Sequence, residues 1–100
     1  MTLPAQAAAE DILTTGAYRE TCSRQDEEAV AFCSGYVKAI MDFAQKSGQA
    51  CIREGTPPED TLIAVRAFTF DKIGTPGFPE TQPAILMVLA VITKVHPCKS

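Results

Sequence analysis

The feature that most constrains the fold of this chain is a stretch at residues 24–47 in which apolar residues recur every three or four positions. The residues that share this spacing are Ala29, Val30, Cys33, Tyr36, Val37, Ile40, Met41 and Ala44. Such spacing is typical of an amphipathic helix with one buried face. Ser23 and Asp26 resemble a capping box at the predicted start, and Gly48 follows the predicted end. The sequence therefore predicts one long central helix.

Two small residues lie one turn apart in this helix, Gly35 and Ala39. Small side chains allow the axes of two packed helices to come close together. We therefore expect a neighbouring helix to cross the central helix at this point.

The rest of the chain predicts further helices and no strand. Residues 17–22 have a short helical pattern, and the segment before them, residues 7–16, is weak and interrupted. Thr56 is a suitable N-cap for a helix with Pro57 at its first position, and Lys72 lies in the predicted last turn of that helix.

The last predicted helix, residues 83–95, is apolar on every side in its middle, so we expect other helices to surround it. The predicted fold class is therefore all-α, a small bundle of about four helices around the central helix at residues 24–47. We expect a single helical domain at residues 13–100 and a flexible N-terminal segment at residues 1–12.

Length, charge and hydropathy argue against several classes of function. One hundred residues suffice for one domain, and the net charge of -3 comes from twelve acidic and nine basic residues spread along the chain. Without a basic patch, nucleic acid is a poor partner. The longest apolar run, residues 84–92, is far below the roughly 20 residues that cross a bilayer. Residues 1–9 lack the pattern of a signal peptide, so either the chain is cytosolic or its numbering begins after a removed signal.

Four cysteines, at positions 22, 33, 51 and 98, could form two disulfides, bind zinc or exist as buried thiols. Their spacing contains no Cys-x-x-Cys pair, and the chain has one histidine, so a zinc site is a poor fit. An even number of cysteines near helix ends favours disulfides that staple the bundle in an oxidising compartment.

Helix geometry limits how these cysteines can pair. Cys33 and Cys51 would lie on the order of 25 Å apart at opposite ends of the central helix, whereas bonded cysteines need Cα atoms within about 7 Å. Cys22 lies a short turn before the central helix, so Cys22–Cys33 is the local choice. Cys51–Cys98 is then the second pair.

Residues that could support catalysis do not form a recognisable constellation. Asp42 and His96 could be imagined as a dyad and Cys33 as a nucleophile, but nothing in the sequence places them together. The chain has no Gly-rich phosphate loop and no HExxH or GxSxG motif. We therefore expect neither an enzyme nor a bound cofactor or metal, and interpret His96 as a surface or half-buried residue at a helix end.

Two short motifs carry a resemblance to a known family. The first is Phe32-Cys33-Ser34-Gly35-Tyr36-Val37, followed by Asp42 and by a cysteine at position 51; the second is His96-Pro97-Cys98 after an apolar helix. Over residues 13–98 the chain resembles the Tai family, periplasmic immunity proteins against amidase effectors of type VI secretion systems. It departs from the family pattern at Ala39, where glycine is frequent, and at Cys51-Ile52-Arg53, where Cys-x-Pro is usual.

The resemblance implies an all-helical domain with disulfides, a cleaved signal peptide, a periplasmic location and frequent homodimers. It also implies tight binding to a secreted peptidoglycan amidase whose active site the family blocks, which protects the producing cell. The competing expectation is a small periplasmic helical chaperone or stress protein, which would bind many unfolded clients through exposed apolar surface.

The two connections rich in proline and glycine, residues 53–60 and 74–80, form the predicted partner-binding surface. A pre-shaped loop loses little conformational entropy when it enters a cleft. The candidate contact residues are Arg53, Glu54, Glu59, Asp60, Phe78 and Glu80. Phe78, between Gly77 and Pro79, is either an anchor beneath its own loop or a protruding hot spot.

Overall fold

The fold consists of four helices in a computed structural model that describes residues 12–72 and 77–98. The helices are α1 (Thr15–Cys22), α2 (Glu27–Lys46), α3 (Pro58–Lys72) and α4 (Ala84–Val95). These two ranges contain no strand and one isolated bridge, between Thr14 and Pro83. The predicted disulfide-stapled all-α bundle is confirmed. The predicted N-terminal segment lies outside the described residues except for Ile12.

Helix α2 is the long central helix, and it begins later than predicted. Its N-cap is Asp26, whose carboxylate accepts a hydrogen bond from the Ala29 N–H at 3.2 Å. The expected start near Arg24 is wrong because Ser23 is the C-cap of α1 and Arg24 lies in the turn between the two helices. The predicted end is confirmed, since Lys46 is the last helical residue.

The hydrophobic core lies where α2, α3 and α4 meet, and α1 covers one side of it. Val37 of α2, Val65 of α3 and Ile92 of α4 are fully buried in this core. Helix α1 contributes Tyr18, which is also buried. Burial of apolar surface, at about 25 cal/mol per Å², is the main favourable term for such a bundle.

The strip of α2 that carries Gly35 and Ala39 faces outward, so the predicted helix crossing is wrong. Both residues are exposed, and a Cβ added at Gly35 would meet no described atom within 4 Å. The physical reason is that α2 packs through its other side, which carries the buried residues Val37 and Ala44.

Helix α4 is apolar all round, but only one of its faces is buried. The buried residues recur at helical spacing and are Ala84, Met87, Val88, Val91 and Ile92. Ile85 and Leu86, on the other side, are exposed. The expectation that other helices surround α4 is therefore wrong, because α1, α2 and α3 contact the face that carries the buried residues.

The segment that precedes α4 fixes the N-terminal end of α1. The Thr15 N–H donates a hydrogen bond to the Gln82 carbonyl at 2.8 Å, and the Gly16 N–H donates one to the Glu80 carbonyl at 3.0 Å. The sequence predicts that the helical pattern is interrupted up to residue 16. That prediction is wrong for Thr15 and Gly16, because Thr14 caps a helix that begins at Thr15. A Cβ at Gly16 would lie 3.2 Å from the Glu80 side chain, so glycine permits this close approach.

The two remaining helices agree closely with prediction. Helix α3 begins at Pro58, one residue after the predicted start, and ends at Lys72 as expected. Helix α4 has Pro83 as its N-cap and ends at Val95. None of the helices within residues 12–72 and 77–98 has the length and apolar character of a membrane-spanning segment.

Candidate functional site

Both predicted disulfides are present. Cys22–Cys33 joins the last residue of α1 to α2, with Cα atoms 5.9 Å apart. Cys51–Cys98 joins the connection before α3 to the segment after α4, with Cα atoms 4.9 Å apart. No cysteine exists as a free thiol, so the alternatives of a zinc site and of buried thiols are excluded.

Residues of the first motif form a cluster where α1 meets α2. Cys33 is bonded to Cys22, and the ring of Tyr36 lies 5.8 Å from the rings of both Tyr18 and Phe32. Burial raises the pKa of Tyr36, and it raises the pKa of Tyr18 to about 12. These motif residues therefore connect α1 to α2 through covalent and aromatic contacts.

The other motif residues lie outside this cluster. Asp42 is on the exposed side of α2 and accepts a hydrogen bond from the Lys38 Nζ at 2.9 Å. Pro97 and Cys98 are exposed in the segment after α4. The disulfide at Cys98 holds this segment against the connection between α2 and α3.

The three residues considered for catalysis each have a separate partner. Cys33 is oxidised, and Asp42 pairs with Lys38. His96 is half-buried at the end of α4, as predicted, and its Nε2 lies 2.7 Å from the hydroxyl of buried Thr61. Over residues 12–72 and 77–98, no three His, Cys, Asp or Glu side chains are grouped so that they could hold a metal ion.

The predicted contact residues lie at the two ends of α3, a helix about 22 Å long. The residues at its N-terminal end are exposed and are Arg53, Glu54, Glu59 and Asp60. Phe78, beyond the other end, is half-buried and packs edge-on against Phe68, with ring centroids 6.2 Å apart. Phe78 thus packs against the core and does not protrude. Glu80 is exposed, and its carbonyl binds α1. The two sets are therefore separated by the length of α3.

An open groove of about 310 Å³ lies between α1, α2 and α3. The α3 side of this groove carries Glu59, Ile63, Arg66 and Phe70, at successive spacings of four, three and four residues. The α2 side carries Val30 and Ser34, and Tyr18 and the Cys22–Cys33 disulfide lie between the two sides. Val30, Ile63 and Phe70 are 46%, 65% and 49% exposed, so the groove presents apolar surface to solvent.

The charged residues of the groove differ in whether they already have a partner. Arg24 donates hydrogen bonds to Asp26 from Nε at 2.9 Å and from Nη2 at 3.0 Å, and these bonds lower the pKa of Asp26. The guanidinium of Arg66 lies 5.3 Å from the ring centroid of Phe70. Within the portion of the chain that the structure describes, neither Arg66 nor Glu59 forms an ion pair. Both are therefore available to a partner.

Of the predicted contact residues, only Glu59 lines the groove. The apolar spacing of α2 predicts that Val30 is buried. Val30 is instead exposed, because it lies in the first turn of α2 on the side that faces the open groove. A signal for the groove exists in α3, where exposed Ile63 and Phe70 lie on a different side from buried Val65. Two apolar stripes on one helix indicate two contact surfaces.

Comparisons of the chain with models of protein families, with curated proteins and with solved structures found no match. We therefore interpret the groove from its own geometry and chemistry.

Proposed function

We propose that this protein is an immunity protein that binds and inhibits a peptidoglycan amidase secreted by a type VI secretion system. The open groove is the observation that carries the proposal, because exposed Val30, Ile63 and Phe70 line it beside charged residues. Concave apolar surface with polar residues at its rim is typical of protein-binding sites. The motifs that resemble the Tai family supply the class of partner.

The two disulfides support a periplasmic location, because disulfides persist in oxidising compartments. A peptidoglycan amidase would meet its inhibitor in that compartment, where its substrate lies. A homodimer belongs to the same proposal, and the outer face of α4, with exposed Ile85 and Leu86, offers an apolar surface for a second copy.

The test of this proposal uses an amidase encoded by a neighbouring reading frame. Release of peptides from purified peptidoglycan is measured while this protein is added to the amidase. We expect hydrolysis to stop at about one equivalent, since tight inhibitors titrate their enzyme. Undiminished hydrolysis at a tenfold excess would contradict the proposal.

The alternative function is a chaperone for unfolded periplasmic proteins. Exposed apolar side chains on several faces, such as Phe43 on α2 and Leu86 on α4, support it. A chaperone should suppress the aggregation of unrelated unfolded proteins at low stoichiometry, whereas an immunity protein should not. Measurement of light scattering from a chemically unfolded client, alongside the amidase titration, discriminates between the two functions.

A further inference from the structure

We propose that the groove binds an amphipathic helix of the partner, which lies antiparallel to α3 with an acidic residue facing Arg66 and a basic residue facing Glu59. This inference rests on the proposed function, because it names the part of the amidase that the groove would recognise.

The shape of the groove is suited to a helix. The residues on the α3 side, from Glu59 to Phe70, follow helical spacing and extend over about 16 Å, or three turns. Val30 and Ser34 on α2 are one turn apart and form the opposite row. A third helix can place residues i, i+4 and i+7 between two such rows, which is how amphipathic helices bind hydrophobic grooves.

The apolar residues define where the bound helix makes contact. Ile63 and Phe70 lie two turns apart on α3, and about half or more of each side chain is exposed. Val30 presents a third apolar side chain from α2. An apolar stripe on the partner would remove all three from water, and removing apolar surface from water favours binding.

The charges fix the direction of the bound helix. Arg66 rests over the ring of Phe70, and its guanidinium can bind a carboxylate through two parallel hydrogen bonds. Glu59 lies seven residues earlier, about 10 Å away along the axis of α3. Arg24 does not compete for a carboxylate, because it already binds Asp26.

In an antiparallel partner helix, the acidic residue opposite Arg66 would lie nearer the N-terminus and the basic residue opposite Glu59 nearer the C-terminus. Both placements stabilise a short helix that carries these residues in its first and last turns, because the helix dipole is positive at its N-terminus and negative at its C-terminus. A parallel helix with the same two ion pairs would have both charges at the unfavourable ends.

The test is calorimetric titration of the neighbouring amidase with three variants of the full chain. Ile63→Ala should weaken binding about tenfold, and the double variant Glu59→Lys/Arg66→Glu should weaken it about a hundredfold. Phe43→Ala is the matched control, since Phe43 is an exposed apolar residue on α2 that lies outside the groove; the amidase affinity of this variant should change less than twofold. Circular dichroism checks that each variant is folded.

Reversal of the two charges on the bound helix of the amidase should restore affinity for the double variant. If the unmodified proteins bind but both groove variants bind as tightly as the control, the helix-binding groove is refuted and the immunity function stands. If the unmodified proteins do not bind, the proposed function fails and this inference fails with it.

Discussion

The two disulfides of this protein differ in the length of the loop that they close and in their position relative to the groove. Cys22–Cys33 spans a sequence separation of 11 residues and lines the groove, whereas Cys51–Cys98 spans 47 residues and contributes nothing to its lining. A long loop restricts the unfolded chain more than a short one. We infer that Cys51–Cys98 mainly stabilises the fold, while Cys22–Cys33 mainly shapes the site.

Helix α1 explains why the short disulfide matters for the site. Its N-terminal end is held by backbone hydrogen bonds from Thr15 and Gly16 to the segment before α4. Its middle is held by the contact of Tyr18 with Tyr36, and its C-terminal end by Cys22. Loss of the disulfide would therefore release the end of α1 that lines the groove and leave the other end in place.

The largest effect on stability is expected for removal of the long disulfide. Replacing Cys51 and Cys98 by Ser should lower the free energy of unfolding by about 4 kcal/mol, because a loop of about 48 residues is no longer closed. That is a large part of the roughly 5 to 15 kcal/mol that stabilises a typical domain. Urea unfolding measures this change, and amidase affinity of the folded fraction should be retained.

Removal of the short disulfide should destabilise the protein less but weaken binding more. Replacing Cys22 and Cys33 by Ser should cost about 3 kcal/mol of stability, since the loop has about 12 residues. Amidase affinity should fall about tenfold, because the groove loses the tether at the end of α1. If the two double variants lose affinity equally, the assignment of separate roles to the disulfides is wrong.

A smaller effect is expected at high pH from Tyr18. Its pKa is raised to about 12 by burial, whereas in the unfolded chain it ionises near its ordinary pKa of 10. The unfolded chain therefore loses this proton first, so stability is intact below about pH 10 and falls as the pH rises through 12. The midpoint of urea unfolding, measured between pH 9 and about 12, gives the slope of stability against pH. Tyr18→Phe should reduce this slope.

The smallest effect is expected at Asp42. Asp42→Ala removes an exposed ion pair with Lys38, which should change stability by less than about 0.5 kcal/mol. Affinity should be unchanged, since neither residue lines the groove. A clear loss of amidase binding would instead place the inhibitory surface on the exposed face of α2.

The helices could be predicted because they depend on local spacing, such as the stripe that includes Val37 and Ile40 and the helix stop at Gly48. The disulfide pairing could be predicted because the rise of a helix excludes Cys33–Cys51 and Cys22–Cys33 is the local choice, which leaves Cys51–Cys98. The sequence predicts the wrong start for α2 because Ser23 and Asp26 can both cap a helix. The structure uses Ser23 to end α1 and Asp26 to begin α2.

The two apolar stripes of α3 indicate two contact surfaces, but the sequence could not predict which of them stays open as the groove, because that depends on which stripe packs against a neighbouring helix. Leu62 and Val65 pack into the core, whereas Ile63 and Phe70 are left exposed, and the residue types on the two stripes are similar. The same limitation applies to α4, where Leu86 is exposed and Val88 is buried although both are aliphatic residues. Tertiary contacts decide which of them is covered.

Hydrogen–deuterium exchange of this protein with and without the amidase tests most directly whether the groove is the binding site. If the groove is the binding site, residues 22–34 and 59–70 should exchange more slowly when the amidase is bound, and residues 85–95 should change little. Protection confined to residues 85–95, or to the connection at residues 53–57, would contradict it.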